Sequence, residues 1–522
     1  MAIPARKHNV ERRGAHKGPP QQQSNMNDLS KRIAGLTPAQ FALIKQRLNE
    51  KNQARPDDQA IPRRDARFTT RAPLSFSQER LWFLYQLDPT SYAFNVTNAV
   101  RLIGKLNVAA LERALNEIIR RHESLRTTFA SVDGEPVQII ASELRIPLSV
   151  IDMRHRPAQQ REEETAGLIT VEARKPFDLT NGSLLRALLV QLEDDHHVAL
   201  LSMHHIVSDG WSMGVLVREL CALYAAYAAN KSSKLPELPV QYADFTTWQR
   251  ERLSGDRLNE LVDYWKKQLG GDLPVLELPI DRPRGATPTF KGAVHSFTIT
   301  PSLSASLEAL SKQEGATMFM TLLAAIQFLL QRYTNQDDIP IGVNIANRTR
   351  RDIEGLIGFF VNNLVLRGDL SGNPTFRELL SRTREVTLGA YAHQELPFEM
   401  LVEALRRERG TNTSLFQVMF VMQNTPSAAL ELPGLRLEPF KVSDEQSAFD
   451  LTFFTRQTDD GIVGWLEYNS DLFNATTISQ MLERFQLLLG EIAANPDQRI
   501  ESYATESDDS AELIGAFNMS LE

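Results

Sequence analysis

Between Leu200 and Leu216 the chain reads LLSMHHIVSDGWSMGVL: an adjacent histidine pair, His204 and His205, followed by Asp209, Gly210 and Trp211. Histidine titrates closest to neutral pH, so a histidine where a strand gives way to a helix suits proton transfer. Adjacent side chains in a strand face opposite ways, so only one of the pair can face a given cleft. Two neighbouring rings cannot easily converge on one ion, and no partner stands at i+4 helical spacing, which argues against a metal site. Asp209 would reach an arginine or a backbone group and fix the turn. Gly210 lets the backbone bend tightly or approach a ligand closely. A helix beginning near Ser212, its plausible N-cap, would aim free N–H groups and a positive dipole end at the junction, where they could steady an oxyanion. The competing reading is a hydrogen-bonded core pair. A second pair, His196–His197, has no Asp-Gly behind it and reads as turn and strand-edge residues. On local chemistry alone both readings of His205 stand.

Several elements must position this junction. Leu184–Leu192 and Val198–Met203 are apolar runs around the acidic turn Glu193–Asp195, the pattern of a hairpin of buried strands. Met213, Leu216, Val217, Leu220, Leu223, Tyr224 and Tyr227 then mark an amphipathic helix. Upstream, Leu111, Leu115, Ile118 and Ile119 form another helical face. The second half has a similar make-up, with TMFMTLLAAIQFLLQRY and TTISQMLERFQLLLGEIAAN reading as helices, and DIPIGVNIANRTR, LFQVMFVMQN and DGIVGWLEYN as strands. Strand and helix patterns mixed in each half predict an α/β protein of two lobes. Proline-rich stretches place a seam near 245–290.

The expected organisation is a disordered tail over 1–28, a short helix and linker over 29–72, an N-terminal lobe over 73–245, a C-terminal lobe over 246–500, and a tail or severed inter-domain connection over 501–522. The short helix rests on Thr37 as N-cap, Pro38, Gln40 and the stripe Phe41, Ile44 and Leu48. It could dock on the main body or on a partner protein.

With 522 residues, 42% of them hydrophobic, the chain can bury a large core. Its net charge of −8 gives no nucleic-acid footprint at the level of the whole chain. The single cysteine, Cys221, excludes a disulfide framework and a cysteine-rich metal site, and its place on an apolar helical face marks it as core. No stretch approaches the roughly 18 apolar residues of a membrane span, and no signal peptide is visible. A cytoplasmic location is expected, with no membrane and no nucleic-acid partner.

MHHIVSDGW resembles the HHxxxDG signature of nonribosomal peptide synthetase condensation domains and, more loosely, the HxxxDG of the chloramphenicol acetyltransferase-like superfamily. Further stretches resemble that family's other motifs in its order: LSFSQERLWFL (Leu74–Leu84), RHESLRTTF (Arg121–Phe129), YADFTTWQ (Tyr242–Gln249), IGFFVNNLVLR (Ile357–Arg367) and HQELPFEMLV (His393–Val402). The likeness covers about 73–500. Two departures stand out: Asn363 where the family often has threonine, and Ser414 where it usually has proline.

The resemblance implies two acetyltransferase-like lobes in a V-shaped pseudo-dimer with a central tunnel. It implies amide formation between a donor acyl or peptidyl thioester and the amine of an acceptor aminoacyl thioester. Both would ride on phosphopantetheine arms of partner carrier proteins, and the domain itself would bind no cofactor. Upstream donor and downstream acceptor carriers and an adenylation domain are the implied partners. His205 carries over as the catalytic histidine, Asp209 as a salt-bridged shaper of the loop and Gly210 as a backbone donor or close-approach residue. His204, Arg348 (the partner of Asp209) and Trp211 carry over as support, and Asn362 and Gln423 as tunnel-lining residues. Arg80, Trp82, Arg121, His122 and Arg126 read as stabilisers of the first lobe, and Tyr242, Asp244 and Trp248 as marks of the seam.

Two alternatives remain beside this reading: an acyltransferase using free acyl-CoA with a soluble amine or alcohol, and a non-catalytic docking module. The histidine pair stands where a heterocyclising subtype has its first aspartate, which speaks against that subtype. The first motif resembles the type that takes an L-configured or fatty-acyl donor. The N-terminal tail and helix suit a domain that opens a protein chain and receives its donor from another polypeptide.

Overall fold

The computed structural model describes residues 60–65, 70–285, 290–409, 414–423, 432–441 and 446–503. These belong, Ala60 aside, to the second of two compact units, Ile61–Glu522. The tail over 1–28, the helix with Phe41, Ile44 and Leu48, and the chain after Tyr503 lie outside the described residues.

In chain order the first half runs β1 (Arg71–Pro73), α1 (Phe76–Leu87), β2 (Asn95–Gly104), α2 (Val108–Arg121), β3 (Thr127–Val132), β4 (Glu135–Ile140), β5 (Ser149–Asp152), α3 (Ala158–Ala173), β6 (Leu185–Gln191), β7 (His196–His204) and α4 (Gly210–Ala228). The second half runs α5 (Tyr242–Arg252), α6 (Gly255–Leu269), β8 (Gly292–Ile299), α7 (Pro301–Gln313), α8 (Met318–Thr334), β9 (Asp338–Ile345), α9 (Arg351–Glu354), β10 (Asn362–Asp369), α10 (Phe376–Ala392), α11 (Phe398–Arg409), β11 (Val418–Met422), β12 (Leu435–Pro439), β13 (Leu451–Thr458), β14 (Gly461–Asn469) and α12 (Ala475–Ala494).

The hairpin read from Glu193–Asp195 forms as β6 and β7, antiparallel from Leu185↔Met203 to Gln191↔His197. It sits in a five-stranded sheet of order β12-β2-β7-β6-β5. A core of Leu111, Leu115, Ile118, Leu189, Met203, Leu216 and Leu223 fills the space between this sheet and its helices. The second sheet has six strands, β10-β9-β11-β13-β14-β8, with β11 parallel to both neighbours. Its core is built round α8, which Thr317 caps and which ends at Asn335 in the left-handed conformation (φ 53°). Leu322, Leu323, Leu329 and Leu330 on α8 are all at most 1% exposed; burying each contributes roughly 1.5–3 kcal/mol. A helix apolar all round must lie inside a core. The two largest buried clusters, one against each of the two larger sheets, give two lobes.

Two features depart from a simple division of the chain. The boundary at 245/246 falls inside α5, and the proline-rich seam holds two helices, α5 and α6. Residues 435–439 of the second half run as β12 beside β2, pairing from Leu435↔Gly104 to Pro439↔Val100 in the first half's sheet.

The linker assignment for 29–72 also needs amendment at its end. Ile61 is buried with Val240, Tyr242, Phe245, Ile353, Leu356 and Phe360. Arg64 bridges Asp244 (2.8 Å) and Glu123 (2.5 Å). A charged, proline-bearing stretch resembles linker by composition, but here Arg64 meets carboxylates and Arg63 the Leu238 and Pro239 carbonyls of the folded body.

Candidate active site

β7 ends at His204, and the backbone enters a tight turn, His205–Val207, pinned where the His205 N–H meets the Phe94 carbonyl at 2.8 Å. His204 stays in the core, its ring 6.3 Å from Phe94 and 6.1 Å from Phe177. Its Nδ1 accepts the Ile206 N–H at 3.1 Å. His205 borders a cavity of about 1360 Å³ lined from both halves, by Asp209 and Trp211 on one side and by Phe319, Asn363 and Gln423 on the other. Strand alternation anticipates this parting of the pair, and the turn that begins at His205 adds to it.

The Nδ1–H of His205 donates to the Ser208 carbonyl at 2.9 Å, which leaves Nε2 as the lone-pair nitrogen of the neutral ring. The Phe359 ring meets the imidazole edge-on at 5.3 Å. Burial pushes His205 below the ordinary histidine range, against the opposing pull of the Ser208 carbonyl and the Asp209 charge. Burial pushes His204 down to about 3, with a further push from the His205 charge.

Asp209 is fully buried and caps α4: its carboxylate accepts the Ser212 N–H at 2.8 Å. The sequence suggests Ser212 for that cap; the structure moves it to Asp209 because the helix starts earlier, at Gly210. The positive end of the helix therefore faces a carboxylate first. Asp209 also accepts the Phe360 N–H at 3.0 Å and pairs with Arg348 at 3.2 Å. Arg348 donates in addition to the carbonyls of Ile353 (2.6 Å) and Leu356 (2.8 Å) and to Ser212 Oγ (2.9 Å), and its guanidinium lies 4.1 Å from the Phe360 ring centre. Arg348 is thus no surface arginine. Gly210 does not adopt a positive φ and borders the cavity, and a Cβ there would meet nothing within 4 Å, so neither the backbone nor the packing of the described residues demands glycine at this position.

The segment Ile357–Asn362 ties the lobes together behind the histidine. Ile357 N–H donates to His122 Nδ1 (3.2 Å), and Gly358 N–H to Ser212 Oγ (3.1 Å). The Tyr242 hydroxyl donates to the Phe359 carbonyl at 2.6 Å and accepts from Ser75 at 2.9 Å. A Cβ on Gly358 would fall 2.1 Å from Cδ2 of Tyr242, so this crossing is open to glycine alone. Each link fixes the loop that carries Phe359 onto His205.

The family model for the condensation domain matches residues 69–514. The chain belongs to the condensation-domain family. One polypeptide of the linear gramicidin synthase of Brevibacillus parabrevis is 48% identical over 84% of the chain, and phosphinothricin tripeptide synthetase PhsC of Streptomyces viridochromogenes 42% over 90%. The chain spans only 6% and 43% of those two proteins. Among solved structures, the X-domain from teicoplanin biosynthesis, known alone and in complex with OxyB, is 30% identical with a TM-score of 0.76, covering 86% of this chain. In the structure without OxyB all of that chain is covered. A four-domain nonribosomal peptide synthetase bound to AMP and glycine is 25% identical with a TM-score of 0.74 over 84% of this chain and 34% of that one.

Within this condensation domain the remaining candidate residues fall in different places. Trp211 borders the cavity and donates from its indole N–H to the Glu354 carbonyl at 2.8 Å. Gln423 borders the cavity, at the exposed end of β11. Asn362 does not: its amide donates to the carbonyls of Gln394 (3.0 Å) and Leu396 (2.8 Å) and accepts the Phe398 N–H (2.9 Å). Its neighbour Asn363 points the other way, as strand alternation requires, and lines the cavity. Trp82 packs into the first lobe 6.3 Å from Phe129. Arg80 instead borders the cavity and lies 3.6 Å from Glu399 of the other half, whose carboxyl burial pushes up against the lowering pull of Arg80. Phe359, Ser212 and Glu399 carry no chemical signature in the sequence; only the fold brings them to the site. Among the described residues no single helix is long and apolar enough to cross a membrane.

A pH prediction follows from His204. An unfolded histidine takes a proton near pH 6.5, whereas folded His204 does so only near about 3. Between these values the unfolded chain holds the extra proton, so the stability this neutral ring supports is full above pH 6.5 and drains as pH falls toward 3. Going from about pH 7.5 to about pH 5, the loss is on the order of 1–2 kcal/mol. His204→Asn keeps an acceptor near the Ile206 N–H and cannot titrate. Urea unfolding at the two pH values should show a smaller acid-induced loss in the variant; equal losses would remove His204 as the cause.

Proposed function

We propose that this domain joins a donor acyl or peptidyl thioester to the amine of an acceptor aminoacyl thioester, both delivered on phosphopantetheine arms of carrier proteins. The observation that carries the reading is His205, with Nδ1 held by Ser208 and its ring on a cavity lined by both lobes. The carriers would reach that cavity through a tunnel between lobes set in a V, and adenylation domains would supply the aminoacyl groups. The amine nitrogen attacks the donor carbonyl, the C–S bond breaks, and the donor thiol leaves on its own arm. The amine surrenders one proton, which His205 Nε2 can accept and pass to the departing thiolate. Asp209, Arg348 and Ser212 position the turn that holds His205. No cofactor of the domain's own enters the reaction, and the setting is the cytosol.

Relatives that are whole synthetases support carrier-bound substrates over free acyl-CoA. A second reading, a docking module without chemistry, draws on the relative seen in complex with another protein; the ordered His205 turn favours catalysis. Reconstitution with acyl-loaded and aminoacyl-loaded carriers separates these readings. We expect amide product on the acceptor carrier, detected by intact-protein mass spectrometry. Product from free acyl-CoA alone would establish the alternative acyltransferase, and no product from either would favour docking.

A further inference from the structure

His122 closes the far end of the loop that carries Phe359. The sequence marks this residue only as a stabiliser of the first lobe, yet it is buried and its ring makes a bond on each side. On one side Nε2 stands 3.1 Å from Glu219 Oε2. Glu219 also accepts two N–H groups of the Arg121 guanidinium, each at 3.0 Å. Burial would raise the Glu219 carboxyl, but the bonds from His122 and Arg121 hold it down to about 2, so at neutral pH it can only accept. Burial likewise pushes His122 below the ordinary histidine range, against the pull of Glu219, so its ring is neutral there. Nε2 must then carry the ring's one proton, and Nδ1 keeps a lone pair. That lone pair takes the Ile357 N–H at 3.2 Å. Two residues after His122, Ser124 Oγ donates to the Ile357 carbonyl at 2.7 Å. Both backbone groups of Ile357 are therefore held by the segment that follows α2, and its side chain lies in the first lobe's core. Phe359, two residues further along, meets the His205 ring edge-on.

We propose that His122 is a positioning residue for the transfer: its Nδ1, kept an acceptor by the Glu219–Arg121 pair, anchors Ile357 and thereby holds the Phe359 ring against the His205 imidazole. The proposal rests on the acyl-transfer reading above. His122 does not border the cavity and so acts only through the loop. The bond from His205 Nδ1 to Ser208 leaves the imidazole free to rock about that one contact, and the Phe359 edge supplies a second. Misplacing a reacting group by about 1 Å costs on the order of 10²-fold, so an anchor outside the site can still govern the rate. Glu219 decides which nitrogen of His122 faces Ile357, a choice that apolar packing alone would not impose.

The test uses the full chain and separates the two nitrogens. In His122→Asn the amide oxygen lies near the place of Nδ1 and can still accept the Ile357 N–H; in His122→Gln the longer amide reaches Glu219 and leaves that N–H without an acceptor. Each variant loses one of the ring's two bonds, so their melting temperatures should fall alike. Single-turnover amide formation with both carriers preloaded should drop by about 10–100-fold in His122→Gln, while His122→Asn keeps most of the rate. Nuclear magnetic resonance of protein labelled at histidine Cε1 reads the same geometry without turnover. The His205 signal, identified by its loss in His205→Ala, carries the ring-current shift of Phe359 and should move in His122→Gln but not in His122→Asn. Should His122→Gln fail to fold, Ser124→Ala tests the same anchor at the Ile357 carbonyl: a moved His205 signal supports the proposal and an unmoved one overturns it. Equal rates and equal signals in the two His122 variants overturn the proposal, since a merely structural role predicts no difference between them. Signals that split as expected in a protein that makes no amide support the anchor and overturn the acyl-transfer reading instead.

Discussion

Replacing His205 with alanine should lower the single-turnover rate of amide formation by roughly 10²–10⁴-fold, the range a positioned proton acceptor supplies. The neutral ring presents Nε2 because Ser208 occupies Nδ1, and burial holds it below the ordinary histidine range, so it is unprotonated at neutral pH. A free α-amino group has a pKa near about 7.7–8.0, so a sizeable fraction already attacks as the neutral amine. The proton must leave after attack, and holding the amine in line is the other share of the work. Rapid-quench measurement with both carriers preloaded, at several pH values, separates these. Protonation of the amine itself slows both proteins below about pH 7.7–8.0; if His205 takes the proton, the wild type falls a second time below the ordinary histidine range, and only this second limb disappears in His205→Ala. Undiminished turnover in the variant would remove the assigned role altogether.

The second large effect concerns Arg348 and Asp209, whose side chains are each 1% exposed. Arg348→Met should destabilise the fold by about 3–5 kcal/mol, because it strands a buried carboxylate. Asp209→Asn alone should also destabilise, leaving the guanidinium unpaired while keeping an acceptor for the Ser212 N–H. Combining the two should restore part of the loss, since neither charge remains. Urea unfolding of the four proteins gives the coupling directly. Strictly additive losses would mean that the pair acts through its separate contacts with Ser212, Phe360 and the Ile353 and Leu356 carbonyls.

The hairpin, the two long helices and the α/β character were legible because apolar periodicity tracks burial, as with Leu185–Gln191 and the α8 leucines. The His205 turn was legible because histidine, aspartate and glycine are uncommon in such company at a strand end. Other features lay beyond pattern. Ser212 looked like a cap because caps are read from residue type, yet a one-turn shift in the helix start hands that role to Asp209. Asn362 looked like a lining residue, but strand alternation gives the cavity to Asn363. Phe359 is an ordinary core-type aromatic until the Tyr242 and Gly358 contacts set it beside the imidazole. Ile61 and Arg64 lie in a stretch whose composition reads as linker, and only their partners, more than fifty residues away, reveal that they are held.

The placement of β12 bears on how such a molecule can be taken apart. Its residues follow the second lobe's β11 in the chain but complete the first lobe's sheet, next to β2. No single cut therefore yields the two lobes as separate polypeptides. A fragment that stops before α5 leaves β2 as a bare edge, with unpaired N–H and C=O groups open to other strands. Its counterpart carries a strand without a sheet. The lobes are units of packing and not of chain connectivity, so an exchange between related domains that cuts the chain between the two cores would break a sheet, while one that moves both halves together keeps the ladder between β12 and β2 intact.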